Sequence, residues 1–484
     1  MKLRDVLAGT EVAEIAGDAE TEVTSLAYDS TRVEPGTLFF CVRGARADGH
    51  EFAAGAVERG ASALVVERHL DLPVAQARVA DARAAMAPAA ARFWSDPTAE
   101  LRVAGVTGTN GKTTTAFLIR HLLEAAGTPT GLLGTVTSVV GGVEEPVERT
   151  TPEAIDLQRT FRRMLEAGDR ACAMEVSSHA LALERTAGIR VAVAVFTNLT
   201  QDHLDFHADM EDYFAAKRLL FDSGQAEAAL VNVDDPYGAR LASEIECRTL
   251  SAAGAEGADF RALGVAFDAS GSRFRCAAPG GEADVAMPLP GHFNVENALA
   301  ALATANLLGV ELAAGAAALA TAERVPGRFE PVDVGQPFTV LVDYAHTPDS
   351  LENALAAARR LGHGRLISVF GCGGDRDREK RPLMGEIGAR LSDLTVVTSD
   401  NPRSEDPEAI IADILSGIPG GGSGAVRVEP DRRAAIGLAI AEAEAGDVIV
   451  IAGKGHEQGQ EFAGGRKVPF DDREVAAAEL RELR

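Results

Sequence analysis

The 484-residue chain has little that would tie it to an oxidising compartment, a membrane or a nucleic acid. Its five cysteines, Cys41, Cys172, Cys247, Cys276 and Cys372, are odd in number, widely scattered and free of any CxxC pair. A disulfide framework and a zinc site are therefore disfavoured, and a reducing compartment, the cytoplasm, is expected. No apolar run approaches the length of a bilayer span, and Met1-Lys2-Leu3-Arg4-Asp5 leads into no apolar stretch. Positive charge is also scarce: 47 Lys and Arg stand against 72 Asp and Glu, a formal charge of −25. Binding along a nucleic acid needs a basic face, so that class is disfavoured. A few local cations and backbone N–H groups can still hold a small anion.

What is present is an α/β rhythm. The length exceeds one ordinary core, so two to four domains are expected. Short apolar runs at 37–42, 61–66, 101–107, 171–176, 191–197 and 229–233 read as strands, separated by alanine-rich stretches of helical period. Residues 261–288 alternate and carry glycine, which predicts a small antiparallel patch before a long helix over 294–308. The rhythm restarts with strands at 338–342, 366–370, 394–398 and 448–452, in the manner of a doubly wound nucleotide fold. Turn clusters at Ser95-Asp96-Pro97-Thr98 and Arg324-Val325-Pro326-Gly327 divide the chain into expected domains of 1–97, 98–325 and 326–484.

The sharpest local signal is Gly108-Thr109-Asn110-Gly111-Lys112-Thr113-Thr114, between the strand 101–107 and a helix predicted over 116–126. Glycines let successive backbone N–H groups turn toward phosphate oxygens, Lys112 supplies charge, and the Thr113 hydroxyl suits magnesium. The usual phosphate-loop pattern wants glycine at 106, where this chain has Val106. Such a loop alone leaves kinases, GTPases, ATPases and ligases open.

Further motifs narrow the choice: Met174-Glu175-Val176-Ser177-Ser178-His179, Thr197-Asn198-Leu199-Thr200-Gln201-Asp202-His203-Leu204-Asp205, His292-Phe293-Asn294-Val295-Glu296-Asn297, Gly327-Arg328-Phe329-Glu330 and Asp343-Tyr344-Ala345-His346-Thr347-Pro348. In this order, and with GTNGKTT, they resemble the Mur ligase family. The resemblance implies three α/β domains: an N-terminal UDP-substrate domain, a central P-loop-type mononucleotide-binding domain and a C-terminal Rossmann-like domain. It implies an ATP-dependent amide ligase that uses Mg2+ and works through an acyl phosphate. Two anions meet in the first step, so a metal and a lysine must screen them.

Residue by residue, the resemblance gives ATP contacts to Gly108 through Thr114, Asn294, Asn297, Arg328 and Asp343, and adds His346 to a catalytic set of Lys112, Glu175, His203 and Lys217. Magnesium ligands would be Thr113, Glu175, His203 and Lys217, the last as a carbamate. Read without the family, Glu175 is a solvated or capping strand-end residue, His203 a local hydrogen-bonder and Lys217 an ordinary helix-surface lysine.

Tyr28-Asp29-Ser30-Thr31-Arg32, Ala45-Arg46-Ala47-Asp48-Gly49 and Thr150-Thr151-Pro152 are similar to segments of the family's third-residue-adding enzymes. A UDP-N-acetylmuramoyl-dipeptide would then be held by Ser30, Thr150, Thr151, Ser177 and Arg185. At position 183, where some relatives have glutamine, this chain has Leu183. The turn Asp400-Asn401-Pro402-Arg403 resembles the form found in enzymes that add meso-diaminopimelate. A guanidinium fork at Arg403 suits the carboxylate that distinguishes diaminopimelate from lysine. Arg376, Gly453 and Glu457 match further positions around the amino acid. By itself Asp-Asn-Pro-Arg is simply a good post-strand turn. A lysine-adding relative, a folylpolyglutamate synthase and a catalytically silent nucleotide-gated scaffold remain alternatives, and a monomer is expected.

Overall fold

The computed structural model describes residues 1–44, 47–222, 224–418 and 424–483. The part of the N-terminal motif formed by Ala45 and Arg46 lies outside the described residues. Packing groups the chain into two compact units. The first comprises Met1–Thr107, Gly127–Val195 and Ala216–Ala229; the second comprises Gly108–Ala126, Phe196–Ala215 and Leu230–Arg484.

In the first unit, one sheet runs in the order Val12–Ala16, Ala75–Val79, Ala61–Val66, Thr37–Phe40, Ser25–Ala27. All its pairings are parallel except Val12–Ala16 with Ala75–Val79. Leu38, Phe40, Val65 and Ala77 pack one face against the helix Met86–Phe93 and against Ile155 from the helix Ala154–Ala167. Phe39, Leu64 and Val66 fill the other face. The same unit holds the parallel strands Thr130–Leu133, Ala171–Glu175 and Arg102–Thr107, extended by the hairpin Ser138–Val140 and Val143–Glu145. Both faces of those parallel strands are buried, which is why they read as continuous apolar runs. The glycine in Thr130–Leu133 and the brevity of the hairpin strands hid these three from sequence reading.

The second unit contains the patch expected at 261–288. Phe260–Asp268, Gly271–Ala278 and Gly281–Met287 form consecutive antiparallel pairs. The helix after the phosphate loop is Lys112–Ala125, so it begins four residues earlier than expected and Lys112 is its first helical residue. It packs on His292–Leu307, whose buried side chains lie all around the helix, among them Leu299, Ala301 and Leu302.

The restarted rhythm is a six-stranded sheet in the order Glu330–Pro331, Thr339–Asp343, Val448–Ala452, Leu366–Phe370, Leu394–Val397, Ala425–Val428. Five of these strands are parallel, and only Glu330–Pro331 runs against its neighbour. Helices Pro348–Arg359, Lys380–Leu391 and Pro407–Ser416 cover one face; Arg432–Glu442 and Asp472–Glu482 cover the other. Ligand-binding residues in such a sheet collect at and past the carboxyl ends of the strands; Asp343 is the last residue of its strand, and Asp400 and Gly453 lie just beyond theirs. Among the described residues no helix is long and apolar enough to cross a membrane.

A buried ion pair and a largely enclosed carboxyl group in the second unit generate stability predictions. Arg432 and Asp472 are both fully buried and joined by two hydrogen bonds, Nε to Oδ1 at 2.8 Å and Nη2 to Oδ2 at 2.6 Å. Asp472→Asn strands the guanidinium and is expected to cost about 3–5 kcal/mol, whereas Arg432→Met with Asp472→Leu should recover most of that loss. Denaturant midpoints of the two variants check this, and equal losses would contradict it. Glu296, on the helix His292–Leu307, is pushed up to about 7 by burial and then by Asp234, Asp349 and Asp235; the His292 ring lies 3.6 Å away. Its folded state holds the proton more tightly than the unfolded state, whose ordinary value is 4.5, so stability falls as pH rises from 4.5 through 7. Glu296→Gln should melt several degrees above wild type at pH 8 and at the same temperature at pH 4; a constant gap would refute the assignment.

Candidate active site

The phosphate loop is braced by the segment that follows the strand Val193–Phe196. Asn110 N–H donates to Asn198 Oδ1 at 2.8 Å, and Thr197 Oγ1 donates back to Asn110 O at 2.7 Å. Thr109 Oγ1 bonds Thr200 O at 3.1 Å and Tyr213 Oη at 3.2 Å. Asn110 Nδ2 reaches Asp349 Oδ2 at 2.7 Å, at the start of the helix Pro348–Arg359. Gly111 has φ +86, and a Cβ there would collide with Asn297 Oδ1. Only glycine meets both requirements.

The loop's cation is held inside it. Lys112 Nζ donates to Gly108 O at 2.9 Å and Thr109 O at 2.8 Å. The buried Thr113 hydroxyl accepts from Arg328 Nη2 at 2.9 Å, and the Arg328 guanidinium lies 4.3 Å over the Tyr344 ring. Arg328 Nε is buried with no hydrogen-bond partner among the described residues. A buried donor left open is costly, and a phosphate oxygen is the acceptor such a donor lacks.

Asn294 and Asn297 are buried, and their amides serve the helix packing. Asn294 Nδ2 donates to Pro290 O, Asn297 Nδ2 to Asn294 Oδ1, and Asn297 Oδ1 accepts from Thr115 Oγ1. Asp343 accepts the N–H groups of Phe329 at 2.7 Å and Ala345 at 2.8 Å. Burial outweighs those bonds and nearby Arg328, so its carboxyl titrates above the usual range.

Asp202 is a hub that sequence reading missed. It is buried, with His203 Nε2 at 3.4 Å, His346 Nε2 at 3.7 Å and Lys380 Nζ at 3.8 Å. Burial alone would raise its carboxyl, but the two imidazole rings and the Lys380 ammonium beside it hold it well below the ordinary range. His203 adopts φ +57, and His346 Nδ1 lies 2.8 Å from Tyr344 O, which makes Nδ1 the protonated nitrogen. The adjacent Asp-His dipeptide was the available signal.

In the first unit, Glu175 ends its strand almost completely buried. Thr135 N–H and Oγ1 donate to its two oxygens at 2.7 and 3.0 Å. The reading of Glu175 as a solvated strand-end residue is therefore corrected: a hydrogen-bonded pocket keeps it from water. Thr150 Oγ1 meets Thr135 Oγ1 at 3.0 Å; Thr151 Oγ1 bonds Glu175 O at 2.9 Å and accepts from Ser177 N–H at 3.1 Å. Ser177 Oγ caps the helix Ser178–Ala182. Arg185 Nη1 donates to Thr151 O at 3.2 Å. Glu153, unremarked in the sequence, is buried beneath three guanidinium groups: Arg83 at 2.9 Å, Arg149 at 3.1 Å and Arg185 at 3.0 Å. Ser30 belongs to a turn beside a cavity of about 360 Å³ lined by Tyr28, Asp29, Arg32 and Asp156.

Lys217 is a second correction. It lies in the helix Met210–Arg218, yet only 1% of it is exposed, so the surface-lysine reading fails. Tertiary packing buries this helical face, and a single helix's sequence does not report that. Among the described residues no group of three or more His, Cys, Asp or Glu side chains is arranged to hold a metal.

The turn Asp400–Arg403 lies past the strand Leu394–Val397. Asn401 Nδ2 donates to Glu457 Oε2 at 2.8 Å, and Gln460 Nε2 to Asp400 O at 2.6 Å. Arg403 has a left-handed backbone, φ +50; its Nη1 bonds Gly374 O at 2.7 Å and its Nε bonds Glu461 Oε2 at 3.2 Å. Pro402 is buried, and Arg376 is exposed with Nη1 on Asp375 O. Gly453, at φ +117, faces Asp400: a Cβ there would stand 2.6 Å from Oδ2. Lys454 is fully buried and bonds Asn401 and Glu457, although a lysine between two glycines after a strand reads as exposed in the sequence.

Known proteins resemble this chain along nearly its whole length. Residues 22–101 match "Mur ligase family, catalytic domain", 106–305 "Mur ligase middle domain" and 327–455 "Mur ligase, glutamate ligase domain". A protein of Syntrophomonas wolfei subsp. wolfei named UDP-N-acetylmuramoyl-L-alanyl-D-glutamate--2,6-diaminopimelate ligase is 47% identical, with 99% of each chain covered. One of the same name from Geobacillus kaustophilus is 48% identical over 95% of both chains. A solved structure, also of that name, superposes with TM-score 0.70 at 31% identity, covering 100% of this chain and 99% of its own. A folylpolyglutamate synthase of Mycobacterium tuberculosis complexed with ADP and AMPPCP shares the fold, with TM-score 0.62 at 20% identity over 83% of this chain and 95% of its own. Three matched domains in sequence, and near half identity over full length, make the chain a member of the Mur ligase family.

Proposed function

We propose that the protein is a cytoplasmic, ATP-dependent amide ligase that joins meso-2,6-diaminopimelate to UDP-N-acetylmuramoyl-L-alanyl-D-glutamate. The observation that carries this reading lies within the second unit. A phosphate loop with a buried, half-satisfied arginine shares that unit with a separate site of guanidinium, amide and carboxylate groups at the strand ends. One is built for a polyphosphate, the other for a zwitterion carrying an additional carboxylate. The names of full-length relatives at 47–48% identity support the substrate choice, and five unpaired thiols suit a reducing, ATP-supplied compartment.

In the first step a carboxylate oxygen of the dipeptide attacks the γ-phosphorus of ATP, the bond to the β–γ bridging oxygen breaks, and ADP leaves with that electron pair. The amine nitrogen then adds to the acyl carbon and gives up a proton, and the carbon–oxygen bond to phosphate breaks. Lys112 exchanges its two loop carbonyls for phosphate oxygens, and Arg328 turns its open Nε–H to another. Asn294 and Asn297 keep the helix beneath the loop in place, and Asp343 is assigned to the ribose. Arg185, Thr150, Thr151, Ser177 and Ser30 are assigned to the dipeptide nucleotide, and Arg403 with Arg376 to the donor's distal carboxylate. The oxygens of Thr113 and Glu175 are hard donors that fit Mg2+, with His203 and a carbamate on Lys217 as the other proposed ligands. The ion would neutralise charge between triphosphate and carboxylate. Burial of Lys217 is the setting in which an amine can be kept neutral and take up carbon dioxide.

Two experiments test the assignment. Arg403→Ala should lower kcat/KM for diaminopimelate by about 100-fold, the loss of a two-bonded charge pair, with KM for ATP within about twofold. Equal kcat/KM for lysine and diaminopimelate in the wild type would reject the donor. Lys217→Ala should lose nearly all turnover and regain part of it in high bicarbonate or a short-chain carbamate, as read by phosphate release; full activity without rescue would remove the carbamate.

A further inference from the structure

Lys454 has no role in the chemistry described so far, and its surroundings are unusual for a lysine. It lies in the loop after the strand Val448–Ala452 and is fully buried. The loop forces it inward. Gly453 and Gly455 have φ +117 and +54, and a Cβ on Gly455 would stand 2.6 Å from Gly327 O and 2.8 Å from Tyr344 Cβ. Neither glycine can be replaced without moving the lysine between them.

The ammonium group fixes two side chains at once. Lys454 Nζ donates to Asn401 Oδ1 at 2.9 Å and to Glu457 Oε2 at 2.9 Å, with Asp400 Oδ1 at 3.6 Å. Asn401 Oδ1 also accepts Glu461 N–H at 2.9 Å. Two donors on one oxygen determine which way the amide faces, so Asn401 Nδ2 must point to Glu457 Oε2, where it donates at 2.8 Å. Glu457 Oε2 thereby receives two donors, while Oε1 has no hydrogen-bond partner among the described residues. The Glu457 side chain is 32% exposed.

Charge points the same way. Arg432 is matched by Asp472, and Arg403 by Glu461. Lys454 then faces two carboxylates, Asp400 and Glu457, which leaves one negative charge in excess. An incoming ammonium group would balance it, hydrogen-bonding to Glu457 Oε1.

We infer that Lys454 is a positioning residue for the amine donor: it aligns Asn401 and Glu457 so that the free Glu457 oxygen binds the donor's ammonium group. The inference rests on the proposed placement of the amino acid at this turn. It separates from ordinary structural support by acting on one substrate only and through named neighbours.

The test uses the full-length enzyme and phosphate release, with KM measured for diaminopimelate, ATP and the dipeptide nucleotide. Lys454→Met should raise KM for diaminopimelate at least about tenfold and leave the other two within about twofold. Asn401→Ala should do likewise, and the double variant should be no worse than the more damaging single one, because both changes disable the same carboxylate. If the methionine variant does not fold, Lys454→Gln, which keeps an N–H donor for the buried oxygens, must still raise KM for diaminopimelate at least about threefold. Equal increases in all three KM values, or a double variant whose losses multiply, would overturn the inference. If Asn401→Ala leaves KM for diaminopimelate unchanged, the amino-acid site itself is misassigned; if Asn401→Ala raises it and the Lys454 variants do not, only the role of Lys454 falls.

Discussion

A cation that waits for an anionic ligand must be held by something weaker than that ligand, and this constraint organises the polar parts of the structure. Lys112 rests on two carbonyls of its own loop. Arg328 rests on a hydroxyl and an aromatic face. Arg403 shares itself between a carbonyl and a partly exposed carboxylate. The carbonyls, the hydroxyl and the ring are neutral partners, so in the proposed roles a phosphate or carboxylate can displace them at small cost. Where no ligand is due to arrive, the pairing is complete, as between Arg432 and Asp472.

The α/β architecture supplies the positions for these groups. Parallel strands end together, and their loops gather side chains that are remote in sequence. Asp343 ends one strand of a sheet, Asp400 and Gly453 follow two others, and the Gly453 loop is shaped to accept Asp400 beside it. The apolar cores on both faces of that sheet keep the strand ends rigid, so hydrogen bonds at the rim are made without further ordering.

Much of this was legible in the residues. The strand rhythm, the antiparallel patch at 261–288 and the phosphate loop all rest on local pattern, which one chain displays fully. What escaped depends on packing between distant segments. Lys217 and Lys454 look like surface lysines because nothing nearby in sequence announces their burial. Asp202 and Glu153 gather basic side chains contributed by separate segments, so no spacing rule finds them. The early start of the helix at Lys112 follows from Gly111 in the left-handed region, a conformation that composition permits without requiring.

The backbone at Arg403 has an evolutionary corollary. A residue with a long side chain in the left-handed region carries a conformational cost of roughly 1–2 kcal/mol that glycine, and in part asparagine, avoids. Drift at this position toward either one would relax the loop while erasing the guanidinium. With Arg403 in its proposed role, selection for the second carboxylate of the donor would run against the local preference of the chain, and descendants released from that demand would be expected to shed the arginine early.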